Sequence, residues 1–128
     1  MKLPIQNKLE SNCTVIMDGG TGTEISRRGI PLDSGRSWSG PANVDSADLI
    51  QKIHEDYIQA GAEIIIANTF STRRSLLART GLDRLTEEIN LKAVNLALVT
   101  VPSSCMRGIL GLSLIHISEP TRLGMIAD

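Results

Sequence analysis

The residues best suited to chemistry lie in one short run, Met17-Asp18-Gly19-Gly20-Thr21-Gly22-Thr23-Glu24. Paired glycines at a strand's C-terminal end let a ligand approach the backbone closely, because no Cβ stands in the way. Free amides near Gly19 and Gly20 can hold a carboxylate, and the Asp18 carboxylate can hold an ammonium. Together they would grip the zwitterionic end of an amino acid. The same residues also suit a tight turn in which an aspartate bonds its own backbone. Local chemistry alone leaves both readings open. The run is not a dinucleotide fingerprint, since after Gly20 and Gly22 the third glycine position holds Ile25, and no Walker lysine follows.

Other candidates are single residues. Asn68 and Thr69 close an apolar run, where they either line a pocket or end the strand by hydrogen bonding. His54 stands beside Ile53 and Tyr57 and reads as a packing residue rather than a ligand. Cys13 and Cys105 are the only cysteines; two are too few for a disulfide scaffold, and neither has a CxxC-type neighbour. Reduced thiols and a cytoplasmic setting are the default expectation.

The elements that must position these residues follow from hydrophobic patterning. Thr14-Val15-Ile16-Met17 is a β-branched run ending at the glycines, which predicts a buried strand over 14–18 feeding a loop. Residues 21–45 are rich in Gly, Pro, Ser and Asp and read as a long loop with a short helix near 24–28. Ile50, Ile53, Tyr57 and Ile58 recur at helical spacing, with Asp45 or Ser46 as cap and Gly61 as terminator, which predicts a helix over 47–60. Glu63-Ile64-Ile65-Ile66-Ala67-Asn68 is a continuous apolar run of the kind found in parallel strands covered on both faces. Residues 71–79 read as helical and Gly81 breaks them. A further helix is predicted over 83–99, with Leu85, Ile89, Ala93, Leu96 and Ala97 on one face, and a third strand over 107–111. Strands alternating with helices define an α/β chain with parallel strands in the order 1-2-3, joined by right-handed crossovers.

Composition excludes several classes. The 128 residues are 41% hydrophobic and 21% charged, as in a globular protein, and the net charge is −1. No cluster of Lys and Arg exceeds a pair, so the phosphate neutralisation that nucleic-acid binding needs is not provided. Residues 1–12 are polar and do not form a secretory signal. The apolar run at 64–67 is far too short to span a bilayer.

Four motifs in order resemble homocysteine S-methyltransferases: Asp18-Gly19-Gly20-Thr21-Gly22-Thr23-Glu24; Arg27-Arg28-Gly29 with Trp38-Ser39; His54-Glu55-Asp56-Tyr57-Ile58-Gln59-Ala60-Gly61-Ala62; and Ala67-Asn68-Thr69-Phe70. The resemblance covers about residues 12–111. It implies a (β/α)8 TIM barrel with its active site at the strand ends, of which this chain holds about two and a half βα units. It also implies methyl transfer to homocysteine, giving methionine. The donor would be of the S-methylmethionine, S-adenosylmethionine, betaine or methyl-folate type. A zinc ion would hold the homocysteine sulfur as thiolate, the nucleophilic form. Asp18 matches the position that contacts the amino group, amides near Gly19 and Gly20 would face the carboxylate, and Thr21 belongs to the same substrate-binding set. Trp38 matches an aromatic on the methyl-donor side, where cation–π attraction suits a positive donor; it could equally only cover the barrel mouth. Asn68 and Thr69 join the expected substrate-binding set. Neither cysteine matches the family's zinc cysteines, which come from later strands, so no metal ligand and no complete catalytic centre is expected here, and the fragment itself is expected to be inactive.

The last segment reads differently. Leu112-Ser113-Leu114-Ile115-His116-Ile117-Ser118-Glu119-Pro120-Thr121-Arg122 resembles the in-frame translation of a transposase sequencing adapter. Residues 112–128 are therefore expected to be non-native, and 1–111 to be the N-terminal portion of the homocysteine-binding domain. Two rival readings remain at this stage. One is another barrel enzyme that holds a small anionic substrate at the glycine loop. The other is a small, non-catalytic binding module.

Overall fold

The structure is a computed structural model that describes residues 4–32, 37–101 and 109–110. Its helices are α1 (Pro4–Glu10), α2 (Thr21–Arg27), α3 (Ala42–Asp45), α4 (Ala47–Gln59), α5 (Arg74–Leu77) and α6 (Thr86–Leu98), with 3-10 turns at Ala78–Thr80 and Asp83–Leu85. Its strands are β1 (Ile65–Ile66) and β2 (Ile109–Leu110).

β1 pairs with β2 in parallel, Ile65 opposite Ile109 and Ile66 opposite Leu110. On the other side of β1, Met17 forms a parallel bridge with Ile64, and the Asp18 amide donates to the Ile64 carbonyl at 3.0 Å. The three predicted strands are thus adjacent and parallel in chain order, although the first is a single bridge rather than a strand. Its predicted burial is not met. Ile16 is 54% exposed and Met17 47% exposed, because among the described residues nothing pairs with or covers its outer side.

One face of β1 is closed. Ile65 and Ala67 are buried against Ala97, with Val94 of α6 and Tyr57 and Ile58 of α4 packed around them. Both long helices therefore lie on the same side of the strands, as the crossover pattern requires. Strand residues alternate faces, so Ile64 and Ile66 face the other way, and they are only half-buried. The continuous apolar run was expected to be covered on both faces; here it is covered on one.

A second core lies between α2 and α4. Ile25, Ala42, Ile50 and Ile53 are buried together, with Ile30, Leu32, Tyr57 and Leu96 around them. Burying one such isoleucine is worth about 1.5–3 kcal/mol. α4 runs where its apolar spacing puts it. Ser46 occupies the cap position, yet its side chain makes no capping bond, so the predicted cap acts only through the backbone. Gly61 follows the helix at φ +111, a left-handed conformation that favours glycine.

The region read as a long loop is more structured than its composition suggests. α2 starts at Thr21, three residues earlier than expected, and α3 occupies 42–45. Ion pairs link α2 to α4: Arg28 bonds Glu24 at 3.1 Å and Asp56 of α4 at 2.9 Å, and Lys52 also reaches Asp56 at 3.0 Å. α5 starts later than the predicted 71–79 helix, because the Thr72 hydroxyl lies within bonding distance of the Thr69 carbonyl and Asn90, where it shapes a turn. In α6, Ile89, Ala93 and Ala97 are buried as predicted, but Leu85 sits on the preceding 3-10 turn, off that face, and is exposed. α1 was not anticipated. Its Lys8 pairs with Glu63, whose other oxygen accepts from the Ile16 amide at 3.3 Å, which ties the helix to the start of β1.

Among the described residues no helix is long and apolar enough to cross a membrane. Cys105, the flanks of the third strand and residues 111–128, His116 among them, lie outside the described residues.

Candidate active-site edge

The parallel strands end at one edge, and the glycine run meets the end of β1 there. Asp18 follows the Met17 bridge, and its Oδ2 accepts a hydrogen bond from the Ile66 amide at 3.0 Å. Its Oδ1 is buried and has no donor among the described residues. Burial pushes the Asp18 carboxyl above its ordinary range, and the bond from Ile66 opposes that shift only in part. A buried carboxylate oxygen without a donor is unfavourable. It becomes favourable when a cationic donor reaches it.

Gly19 and Gly20 are exposed, and their amides donate to no backbone carbonyl among the described residues. A Cβ on Gly19 would stand 2.7 Å from the Tyr57 hydroxyl, so glycine is needed there for close packing. Tyr57 thus belongs to this edge as well as to the core, and burial raises its pKa above the ordinary phenol value. Thr21 begins α2 and is half-buried.

Trp38 stands over this edge on a short arch, residues 37–43. Its neighbours Ser37 and Ser39 are buried, while Trp38 itself is 39% exposed. Ser37 Oγ donates to the Leu76 carbonyl at 2.5 Å and lies 3.1 Å from Thr80 Oγ1. Ser39 Oγ bonds Asn68 Oδ1 at 3.0 Å and Ser71 Oγ at 3.1 Å. Asn68 Nδ2 returns bonds to the Ser39 carbonyl at 2.9 Å and to Asn43 Oδ1 at 3.2 Å. Asn43 Nδ2 closes the circuit on the carbonyls of Gly40 and Asn68, at 3.0 and 2.9 Å. These bonds hold Trp38 at φ +46, a left-handed conformation that costs a bulky residue about 1–3 kcal/mol. The indole packs on Gly22 and meets Phe70 edge to face, with ring centroids 5.8 Å apart.

The predicted site residues are therefore brought to one edge, but in different states. Asp18, Gly19 and Gly20 keep unused hydrogen-bonding groups. Asn68 is buried with both amide hydrogens engaged, and it ends the strand and anchors the arch. Thr69 is buried beside it, with its hydroxyl and amide both directed at the Ala67 carbonyl. His54 is buried in α4 with neither ring nitrogen hydrogen-bonded, and burial depresses its pKa to about 4. That is a packing position, as its spacing suggested. Cys13 is exposed, and among the described residues there is no group of three or more His, Cys, Asp or Glu that could hold a metal.

Sequence reasoning assigned no site role to Gly22, Ser39, Tyr57 or Phe70, although all four lie in its quoted motifs, and it did not single out Asn43 at all. Phe70 carried a signal, since it directly follows Asn68 and Thr69. A separate groove between α4 and α6, lined by Gln51, Arg84, Glu88, Leu91 and Lys92 among others, lies on the outer helical face.

The segment is thus a parallel α/β unit with a glycine loop and an open carboxylate at its strand ends. Comparison with known proteins narrows the class. The family model described as homocysteine S-methyltransferase matches residues 15–111. The chain is 32% identical over 79 residues to homocysteine S-methyltransferase YbgG of Bacillus subtilis, covering 62% of this chain and 25% of that protein. It is 30% identical over 95 residues to homocysteine S-methyltransferase of Escherichia coli, covering 73% of this chain and 30% of that protein. The crystal structure of the homocysteine methyltransferase MmuM from Escherichia coli, in metallated form, superposes with a TM-score of 0.70 at 25% identity, over 93% of this chain and 45% of that one. This chain belongs to the homocysteine S-methyltransferase family. It spans about a quarter to a third of the length of the curated relatives it matches.

Proposed function

We propose that the complete protein carrying this segment transfers a methyl group to the thiolate of homocysteine, giving methionine. The observation that carries this reading is the open Oδ1 of Asp18, buried at the strand ends beside two exposed glycines. It fits the ammonium of an amino acid, with the amides of Gly19, Gly20 and Thr21 available to the carboxylate. The substrate's sulfur would then extend away from the glycine loop. Its lone pair attacks the donor's methyl carbon: the new S–C bond forms as the donor heteroatom leaves with the electrons of the old bond. For a sulfonium or quaternary ammonium donor the leaving group is neutral. Trp38 and Phe70 present ring surface on the same edge, which suits a positive donor. Thr69 would shape the pocket floor, and Asn68 would hold the arch.

Family membership and the match to the metallated structure support the rest of the reading. The segment would be the first two and a half units of a (β/α)8 barrel, whose remaining strands would cover Ile64, Ile66 and the Ile16–Met17 side. Residues 112–128 would be non-native sequence; the family match stops at residue 111. A zinc ion would keep the homocysteine thiol ionised. The described residues do not fit it, so its ligands would come from later in the protein. This segment would contribute substrate grip and donor positioning, and without the thiolate site it would be inactive alone.

In the complete protein, Asp18→Ala should weaken homocysteine binding by at least about tenfold, the worth of one charge-assisted hydrogen bond, with zinc content unchanged. Calorimetric titration and metal analysis measure both. Equal affinity in variant and parent would remove Asp18 from the site.

A further inference from the structure

The Trp38 indole occupies the space that a side chain on Gly22 would need. A Cβ built on Gly22 would lie 2.7 Å from Trp38 Cη2 and 2.9 Å from Cζ2, closer than van der Waals contact allows. Gly22 is buried in the first turn of α2, where its backbone is helical and alanine would ordinarily be preferred. Helix propensity therefore does not explain glycine here, and neither does a positive φ. The indole's other supports are rigid: Ser37 and Ser39 are buried and bonded on either side of Trp38, and its backbone is held left-handed. The ring has little freedom at its base. Its tip position is fixed by the floor of Gly22 and the edge contact with Phe70.

We propose that Gly22 is a positioning residue, which sets the depth at which Trp38 stands over the strand ends and so the fit of a positively charged methyl donor. This inference rests on the functional reading above for the identity of the donor, but its geometric half does not. A methyl group at position 22 must push the indole tip outward, since the arch beneath it is tied at both ends. The donor side of the site then changes while the glycine–aspartate side, two residues and more upstream, keeps its geometry.

The test uses the complete protein with S-methylmethionine as donor and homocysteine as acceptor. Parent, Gly22→Ala, Trp38→Phe, the double variant, and Ser26→Ala as an exposed control on the same helix are compared. Gly22→Ala should raise the donor KM about two- to fivefold, the range of one exposed cation–π contact, and leave the homocysteine KM unchanged. Ser26→Ala should change neither. In the Trp38→Phe background, whose smaller ring clears position 22, Gly22→Ala should add nothing. In the 128-residue chain, where Trp38 is the only tryptophan, Gly22→Ala should make its fluorescence more readily quenched by acrylamide. An unchanged donor KM, equal rises in both KM values, or a full additive effect in the Trp38→Phe background would overturn the proposal. A parent protein that methylates homocysteine from no donor would instead overturn the functional reading, and the quenching result would still decide the Gly22–Trp38 contact.

Discussion

Asp18 and Asn68 end neighbouring strands at the same edge, yet their side chains are in opposite states. Asn68 has both amide hydrogens and its oxygen bonded, to Ser39 and Asn43. Asp18 has one oxygen bonded to Ile66 and the other buried without a donor. A satisfied group has nothing left to offer a ligand; an unsatisfied one gains from binding. The difference separates a residue whose polar groups are spent inside the fold from one that still has an oxygen to offer a ligand, within a set that sequence alone groups together.

The comparison breaks first at Asn68. Replacing it with alanine leaves Asn43 Oδ1 and the Ser39 carbonyl buried without the Asn68 donor, and should destabilise the complete protein by about 2–4 kcal/mol. Urea unfolding at constant m-value measures this. A loss under about 0.5 kcal/mol, the range of an ordinary surface substitution, would show that the network is not a structural anchor.

His54 offers a similar contrast through pH. Its folded pKa is depressed to about 4 by burial, so the folded state favours the neutral ring. The stability that depends on this neutral ring is fully present above the unfolded value near 6.5 and is lost as pH falls from there towards 4. The loss approaches about 3 kcal/mol at the lower end. His54→Leu should flatten the stability curve over this window. The carboxylates of Glu24 and Asp56 are held below their ordinary range, Glu24 against desolvation by its bonds to Arg28 and Arg27, Asp56 by Lys52 and Arg28, so their own losses fall at lower pH. Identical pH profiles for parent and variant would contradict the burial of this ring.

Much of the scaffold is legible in the sequence because it depends on local patterns. The apolar spacing of Ile50, Ile53, Tyr57 and Ile58 gives α4, that of Ile89, Ala93 and Ala97 gives α6, and Gly61 and Gly81 mark stops at positive φ. The glycine run after Met17 is also legible as the loop that joins the strand end to α2. Other features depend on partners distant in sequence. Asn43 and Asn68 meet across 25 positions and Ser39 and Asn68 across 29, which leaves no periodic trace. Trp38 finds Gly22 in the same way. The exposure of Ile16 and Met17 could not be foreseen either, since a β-branched run shows what a strand needs to bury and not whether a cover is present.

The surface ion pairs should matter least. Arg28→Ala removes the link from Glu24 to Asp56 between α2 and α4. Such pairs, partly open to solvent, are screened by salt and weak. The variant should melt close to the parent at physiological ionic strength, with any difference shrinking as salt is added. A large, salt-insensitive loss would mean that α2, and with it the glycine loop, depends on this pair.

The central claim is that the open oxygen of Asp18 is what meets the substrate's ammonium. Asp18→Asn tests it most directly, because the amide oxygen can still accept from Ile66 while an NH2 group replaces the open oxygen. Homocysteine affinity is measured by calorimetry on the complete protein, for parent and variant, as pH is lowered. The account predicts at least about tenfold weaker binding for the variant with an unchanged melting temperature. It also predicts that the parent's affinity falls as Asp18 protonates, beginning above the ordinary carboxylate range because burial raises its pKa. Equal affinity for the two proteins across that range would contradict it.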